Sequence, residues 1–265
     1  MGDPIQASHW DNHSQQWGKV EAPLRPTQQV VSKLCEGLTS QINPVLVLGV
    51  TPELTGALIK VVAVDRSISM IKRLWPGNSP NKRVVCADWL EMKFEDEVFS
   101  GAIGDGCLTV LGGPQQAQAF FNNLKMVLSN GTPFRLRAFL RPDNPWTHDE
   151  LRYTCQDPGD INFHAFKWML AMHKASQNHD LVSVSSLLDD FNHYWPDRKV
   201  LAAKTGWDLT SIKTIDAYHG SEDIYWFPTS SAITELASKT FNKVRLEALG
   251  GYPLSMQCPI LTMER

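Results

Sequence analysis

Short runs of apolar residues, rich in β-branched side chains, recur through the first half of the chain with helical patterns between them. The clear runs are residues 45–48, 61–64, 84–86 and 134–140, and a weaker run covers residues 98–103. Continuous apolar runs of this length are typical of strands that are buried on both faces, as in a parallel sheet.

Some of the intervening segments have the pattern of amphipathic helices. Residues 27–38 place apolar side chains on one side with Thr27 as N-cap, and residues 115–129 end at the helix-terminating pair Asn130-Gly131. This alternation predicts a doubly wound α/β fold, with right-handed crossovers and helices on both faces of a mostly parallel sheet. Ligands of such sheets bind beyond the carboxyl ends of the strands.

The pattern changes after residue 141. Residues 142–219 are rich in aromatic residues and helical in pattern, which predicts a helical insertion over the strand ends. A further helix is expected after Pro228, and the alternation of apolar and charged side chains at 244–248 favours a strand with one solvated face. We expect the last two strands to form an antiparallel hairpin around Gly250-Gly251 at the sheet edge.

Composition narrows the class of protein. The 265-residue chain has a formal net charge of −3 and no basic stripe, so we expect no nucleic-acid partner. Its five cysteines are widely spaced and never occur as C-x-x-C, which argues against a disulfide framework and favours the reducing cytoplasm. No apolar run reaches the roughly 18 residues that a membrane span requires, so no membrane partner is expected. Nothing in the sequence specifies an oligomeric state.

A glycine and several carboxylates follow the predicted strands. Gly49 ends the first run, Asp65 the second and Asp88 the third, and Asp105 comes just after the weaker run. A single aspartate at such a position is about as often a helix N-cap or a turn residue. Together, in register with the strands, these residues indicate a binding edge. A carboxylate at the end of the second strand suits two ribose hydroxyls, and Asp88 beside Trp89 suits an adenine ring.

The segments "VLVLGVTPEL", "VVAVDRSISMI", "VVCADWLEM" and "FSGAIGDGCLTVL" resemble, in order, the motifs of class I S-adenosylmethionine-dependent methyltransferases. The resemblance covers roughly residues 44–140 and the C-terminal tail. It implies a seven-stranded Rossmann-like sheet, S-adenosylmethionine as cofactor and S-adenosylhomocysteine as product. The implied cofactor residues are Asp65, Arg66 and Ser67 at the ribose, Asp88 and Trp89 at the adenine, and Gly49, Thr51, Pro52, Gly104, Asp105 and Gly106 around the methionine portion.

The first motif departs from the family pattern. The family commonly has an acidic residue before the first glycine and further glycines after it, whereas this chain has Leu48 and then Val-Thr-Pro at 50–52. Repeated glycines serve the close approach to a pyrophosphate, which S-adenosylmethionine lacks, so one glycine can be sufficient. We expect the N-terminal arm to hold the methionine end, with Trp17 over the sulfonium and Arg25 at the carboxylate. The alternative is that Trp17 is a core anchor and Arg25 a surface charge.

Methyl transfer is an in-line displacement, to which a protein contributes alignment, exclusion of water and, for hydroxyl or ammonium acceptors, a general base. His13 and His164 are the predicted bases because histidine can take a proton near neutral pH. Each could equally be a hydrogen-bonded structural residue. The predicted acceptor-binding residues are Arg141, His148 and Lys167. His9 and His13 have the spacing of a helical metal pair, but the sequence offers no third ligand and we expect no metal.

The predicted organisation follows from these assignments. Residues 1–43 form a helical arm that covers the cofactor, 44–141 the cofactor-binding core, 142–219 a helical lid over the acceptor, and 220–265 the last helix and strands. The predicted function is methyl transfer to an oxygen or nitrogen of a small molecule. Two alternatives stay open: a non-catalytic protein that binds S-adenosylmethionine or a partner, and a nicotinamide-dependent reductase. The reductase is disfavoured because no G-x-G-x-x-G follows the first strand.

Overall fold

The structure, a computed structural model, describes residues 9–38 and 42–265, so residues 1–8 of the predicted arm lie outside the described residues. The strands are β1 (Val45–Leu48), β2 (Val61–Asp65), β3 (Lys82–Cys86), β4 (Ala102–Asp105), β5 (Pro133–Arg137), β6 (Leu181–Ser183), β7 (Ile224–Trp226), β8 (Asn242–Glu247) and β9 (Ile260–Glu264). The helices are α1 (His9–Gln16), α2 (Gln28–Leu34), α3 (Pro52–Ala57), α4 (Ile68–Leu74), α5 (Pro114–Val127), α6 (His148–Thr154), α7 (Phe163–Ser176), α8 (Val184–Tyr194), α9 (Arg198–Thr205), α10 (Leu209–Ile212) and α11 (Ser230–Ser238). Short 3-10 helices cover Trp17–Lys19, Cys107–Leu111, Lys213–Tyr218 and Ser255–Gln257.

The main sheet has seven strands in the order β3-β2-β1-β4-β5-β9-β8. The first five strands of the chain pair in parallel, and β9 runs antiparallel between β5 and β8. This arrangement confirms the predicted fold class. The chain winds outward from β1 in one direction and from β4 in the other, so the crevice between these two strands is the expected ligand site.

Two of the apolar runs form strands with shifted bounds. The weaker run at 98–103 becomes strand only from Ala102, and Phe99 makes an isolated bridge to Leu128. The last run ends as strand at Arg137 instead of residue 140. The reason is that the backbone beyond Arg137 bonds to an irregular segment, with the Ala138 N–H donating to a carbonyl oxygen ahead of β9.

Side-chain caps set the starts of several helices. Thr27 accepts from the backbone N–H of Val30 at the start of α2, as its position predicts. Helix α2 ends at Leu34, four residues short of the predicted end. Thr229 caps α11 in the same way, so the helix expected after Pro228 is present.

The predicted insertion contains α6 to α10, packed around a buried aromatic cluster that is separate from the core under the main sheet. One part differs from the prediction. The segment 181–183, which the pattern favours as helix, is strand β6, and it pairs antiparallel with β7. Val182 lies opposite Tyr225 and both are buried, so the gain from burying this pair outweighs the local helical pattern. The two-stranded sheet of β6 and β7 joins the insertion to the segment that follows it.

Candidate active site

A cavity of about 420 Å³ lies at the carboxyl ends of the central strands, within the size range of about 300–1,000 Å³ typical of small-molecule sites. Its wall combines the strand ends, the loop after β4, helix α1 with the chain that follows it, and the segment that leads into β7. The predicted site residues that line it are His13, Trp17, Gly49, Thr51, Asp65, Arg66, Ser67, Asp88, Trp89, Asp105 and Gly106. Residues that the sequence placed on separate motifs therefore meet at one site.

Gly49 and Asp65 form the centre of this wall. Gly49 has a φ of +95°, which favours glycine, and its N–H donates to the Val64 carbonyl oxygen over 2.8 Å. A Cβ atom at this position would lie 3.8 Å from Oδ2 of Asp65. The Ser67 N–H donates to Oδ1 of Asp65 over 2.8 Å. The glycine turn thus exposes the carboxylate to the cavity with one oxygen already bound by the protein.

The Asp65 carboxylate is poorly hydrated. Burial raises its pKa to about 6, although the backbone N–H groups of Ser67 and Val50 favour the charged form. A buried carboxylate of this kind gains from additional hydrogen-bond donors. Two ribose hydroxyls, each donating to a carboxylate oxygen, would supply them.

Next to Asp65, the end of β3 provides a flat wall. The Trp89 indole N–H donates to the Val64 carbonyl oxygen over 2.7 Å, which fixes the ring against the end of β2. Asp88 accepts from the Leu90 N–H over 2.8 Å. Arg66 lies between two carboxylates, 3.6 Å from Asp88 and 3.5 Å from Asp223. The arginine is half exposed, so these long ion pairs contribute little stability and mainly arrange the rim.

The floor of the cavity carries a buried ion pair between Asp105 and Arg137. Nε of Arg137 donates to Oδ1 of Asp105 over 2.5 Å and Nη2 donates to Oδ2 over 3.0 Å. Burial alone would lower the pKa of Arg137, but the charge of Asp105 and the hydrogen bonds to it raise that pKa. The guanidinium carbon also lies 5.2 Å from the Phe139 ring centroid. The bidentate pair therefore occupies both oxygens of Asp105.

Gly104 and Gly106 serve the packing of this floor. A Cβ atom on Gly104 would lie 2.4 Å from Sγ of Cys107, and one on Gly106 would lie 2.8 Å from the Phe139 ring. Gly106 also has a φ of +71°. Gly104, unlike Gly106, does not line the cavity.

The N-terminal arm forms one side of the cavity. His13 lies between two indole rings, with ring centroids 5.6 Å from Trp10 and 5.9 Å from Trp17 in edge-to-face geometry. Asp11 accepts a hydrogen bond from Ser69 of α4, which ties α1 to the helix that follows β2. The side chain of His9 lies outside what the structure describes. Among the described residues, no group of three or more histidine, cysteine, aspartate or glutamate side chains is placed to hold a metal ion.

Besides Gly104, two predicted cofactor residues do not line the cavity, Arg25 and Pro52. Nε of Arg25 donates to Oε1 of Glu53, and the guanidinium carbon lies 5.8 Å from the Trp17 ring centroid. Pro52 is the first residue of α3, where its fixed φ suits a helix start.

The structure revises the role expected of His164. This ring is fully buried in α7, with Nε2 3.0 Å from the carbonyl oxygen of Lys19, and it does not line the cavity. Burial and the neighbouring Lys167 lower its pKa to about 3. A histidine that stays neutral and bonded to the backbone holds the arm against the insertion instead of receiving a proton from an acceptor.

The three predicted acceptor residues also lie outside the cavity lining. Arg141 pairs with Asp180, with 2.5 Å between Nε and Oδ1. His148 packs on Tyr194 with ring centroids 4.1 Å apart. Lys167 is buried with Nζ 4.9 Å from the Tyr218 ring centroid, and burial lowers its pKa to about 7. Lys167 therefore supports a lining residue without reaching the cavity.

The insertion side of the cavity is aromatic. Trp168 lies 5.4 Å from Phe139 and 5.6 Å from Tyr225 between ring centroids, and Tyr218 lies 6.0 Å from Tyr225. Burial raises the pKa of both tyrosines, and their hydroxyls bond to each other. Of the aromatic residues that stand out in the insertion sequence, Trp168 lines the cavity. Phe139 belongs to the apolar run at 134–140, whereas Tyr218 and Tyr225 carried no signal in the sequence, since a 3-10 turn and a three-residue strand bring them into place.

No protein-family model matches this chain, and no curated protein matches it. Solved structures do match. A Rhodobacter sphaeroides protein provisionally assigned as a zinc-dependent alcohol dehydrogenase aligns with a TM-score of 0.61 and 12% identity over 97% of this chain and 96% of its own. The CcbJ methyltransferase of Streptomyces caelestis aligns with a TM-score of 0.58 and 11% identity over 97% and 98%.

A further match is an S-adenosylmethionine-dependent methyltransferase of Methanosarcina mazei, with a TM-score of 0.51 and 12% identity over 91% of this chain and 99% of its own. At these identities the likeness concerns the fold. The chain has an α/β Rossmann-like fold with its cavity at the switch point of the sheet. More narrowly, this is the fold of class I S-adenosylmethionine-dependent methyltransferases, as the sequence motifs imply. Among the described helices, none is long and apolar enough to cross a membrane.

Proposed function

We propose that this protein is an S-adenosylmethionine-dependent methyltransferase that acts on an oxygen or nitrogen atom of a small molecule. The observation that carries the proposal is the Asp65 carboxylate. It lies at the end of β2, buried beside the positive-φ Gly49, and it faces a cavity at the switch point of a methyltransferase fold. A nucleoside with two adjacent hydroxyls is the ligand that this carboxylate suits best.

The remaining cofactor contacts follow from the cavity wall. Asp88 and the fixed ring of Trp89 suit the adenine, and the turn at Gly49 and Thr51 suits the methionine portion. S-adenosylmethionine would supply an electrophilic methyl group on a sulfonium. The protein's part is to align the acceptor and to exclude water, and Trp17 with the rest of the arm would cover the cavity.

The acceptor would enter on the aromatic side, against Phe139, Trp168, Tyr218 and Tyr225. Such a wall favours an apolar acceptor with few polar groups. His13 is the predicted base that lines the cavity, so it would receive the acceptor proton. A cytoplasmic enzyme without nucleic-acid or membrane partners is consistent with the charge and composition of the chain.

Calorimetric titration with S-adenosylhomocysteine tests the cofactor assignment. Wild type should bind and Asp65→Asn should not, whereas the exposed Asp189→Asn on α8 should bind as wild type does. Absence of binding to wild type, or undiminished binding to Asp65→Asn, would overturn the site.

A measurement of turnover tests whether the protein transfers the methyl group to a small-molecule acceptor. S-adenosylhomocysteine formation should rise when apolar hydroxyl or amine compounds are added to the protein and methyl donor. Tight donor binding without turnover across such a panel would favour the alternative of a non-catalytic S-adenosylmethionine-binding protein.

A further inference from the structure

The indole N–H of Trp168 is buried and has no hydrogen-bond acceptor among the described residues. The side chain is 5% exposed and belongs to the aromatic wall of the cavity. Its ring centroid lies 5.4 Å from that of Phe139, 5.6 Å from that of Tyr225 and 5.3 Å from that of Phe227. A ring packed against three others has little freedom to turn towards another partner, and a buried N–H left unpaired is costly. The N–H is therefore suited to bind an atom of a ligand in the cavity.

Other unpaired polar atoms lie at different parts of the site. Trp17 of the arm and Thr109, in the 3-10 helix after β4, also line the cavity, and each has a buried polar atom without a partner among the described residues. Nη1 of Arg137 is unpaired as well, but Arg137 does not line the cavity. Trp168 is the member of this set that belongs to the insertion-side wall, where the acceptor is proposed to enter.

The chemistry of the wall limits which ligand atom can pair with this N–H. An indole N–H only donates, so its partner must be a hydrogen-bond acceptor. Among the described lining residues, Arg66 is the only lysine or arginine, and it already pairs with Asp88 and Asp223. An anionic ligand group at the aromatic wall would therefore be buried without a counter-charge, which is costly. A neutral oxygen, as in a carbonyl or an ether, meets both conditions.

We propose that the indole N–H of Trp168 binds a neutral carbonyl or ether oxygen of the methyl acceptor. The acceptor is then an uncharged, largely apolar compound that carries this oxygen in addition to the atom that is methylated. The inference rests on the proposed function and deepens it by naming the acceptor class. Trp168 is a specificity-determining residue in this arrangement, since its ring forms part of the apolar wall and its N–H selects the oxygen. Because the N–H is shielded from water, side chains of the wall shift when the oxygen reaches it.

Three phenols that differ in one substituent test the contact. para-Hydroxyacetophenone has a carbonyl oxygen, para-ethylphenol has none, and para-hydroxybenzoate has a carboxylate in its place. Dissociation constants are measured by calorimetry with S-adenosylhomocysteine present, at a slightly acidic pH at which each phenol group is neutral. Wild type should bind the ketone roughly 3- to 10-fold more tightly than the ethyl compound, and the carboxylate roughly tenfold or more weakly than the ketone.

The variants assign the preference to one N–H group. Trp168→Phe should abolish the preference for the ketone and leave the affinity for para-ethylphenol unchanged within about twofold. Trp207→Phe is the matched control, because that indole N–H is bonded to the Ile161 carbonyl oxygen and the side chain does not line the cavity. Trp207→Phe and Thr109→Val should both keep the preference. Thermal unfolding shows whether each variant folds, and an indole N–H resonance of wild type that moves with the ketone but not with para-ethylphenol gives a readout that needs no variant.

Several results would overturn the contact. Equal affinity of wild type for the ketone and the ethyl compound, or a preference that survives Trp168→Phe, would mean that the N–H is satisfied by the faces of the neighbouring rings. Loss of the preference in Thr109→Val instead would move the oxygen to Thr109, and tighter binding of the carboxylate would reject a neutral acceptor. Failure of all three phenols to bind would reject this wall as their site. If wild type does not bind S-adenosylhomocysteine, the proposed function fails, and the same comparison of phenols without it still judges the Trp168 contact.

Discussion

The two sides of the cavity are built in different ways. On the core side, lining residues such as Gly49, Asp65 and Asp105 lie at the carboxyl ends of sheet strands or directly after them, so the backbone of the sheet places them. On the insertion side, lining residues such as Trp168 and Tyr225 come from a helix and a short strand that are placed by packing against each other. The core side is therefore determined by chain order, and the insertion side by tertiary contacts between distant segments.

The prediction with the largest expected effect tests how much the Asp105–Arg137 ion pair at the cavity floor stabilises the core. Arg137→Met should lower the free energy of unfolding by about 3–5 kcal/mol, because it leaves the buried Asp105 carboxylate without its partner. Denaturant unfolding monitored at several wavelengths measures the change. Asp105→Asn in the same background should restore part of the loss, since it removes the stranded charge. An effect under about 1 kcal/mol for Arg137→Met would show that the floor pair adds little to the stability of the core.

The next test compares a histidine that lines the cavity with one that does not. His13→Gln should lower turnover by roughly 100-fold or more, since a positioned general base typically contributes about 10²- to 10⁴-fold, with cofactor affinity unchanged within about twofold. His164→Gln should leave turnover per folded molecule near wild type and lower thermal stability instead, because the bond to the Lys19 carbonyl is disturbed. Steady-state rates and calorimetry on both variants decide between these roles. A large rate loss in His164→Gln alone would reverse the assignment.

The difference between the core side and the insertion side of the cavity also explains which site residues could be predicted from the sequence. Asp65, Asp88 and Asp105 were predicted because each closely follows an apolar run, and a shift in the bounds of β4 did not move Asp105 from the sheet edge. Tyr218 and Tyr225 were missed because a 3-10 turn and a three-residue strand place them, and elements this short leave no clear pattern in the sequence. The position of His164 outside the cavity lining could not be predicted, because the sequence shows a residue type but not its burial.

The Arg25–Glu53 contact was missed for a related reason. Its partners are 28 residues apart and belong to the arm and the first core helix, so no local pattern joins them. Arg25 was predicted as a cofactor residue from its charge and its place in the arm. The structure adds the carboxylate that holds it.

The smallest expected effect is a change with pH, about 1 kcal/mol between pH 5 and pH 8, that runs in opposite directions on the two sides of the cavity. Asp65 has its pKa raised from 3.8 to about 6 in the folded protein, so the cost of its charge is absent below pH 4 and complete above pH 6. Asp65→Asn should therefore stabilise the fold by up to about 3 kcal/mol above pH 6 and lose this gain as the pH falls towards 4. Lys167 has its pKa lowered from 10.5 to about 7, so the cost of its charge is complete below pH 7 and declines as the pH rises towards 10.5.

Lys167→Met should accordingly give its largest stabilisation, up to about 5 kcal/mol, at pH 7 and below, since methionine fills a similar volume without a charge. Melting temperatures of both variants at pH 5 and pH 8 measure these opposite changes in stability. From pH 5 to pH 8 the gain from Asp65→Asn should grow and the gain from Lys167→Met should shrink. If both stability gains change in the same direction with pH, one of the two groups is not buried in its charged form. The variant that departs from its expected trend would identify that group, and with it the side of the cavity that is more open to water.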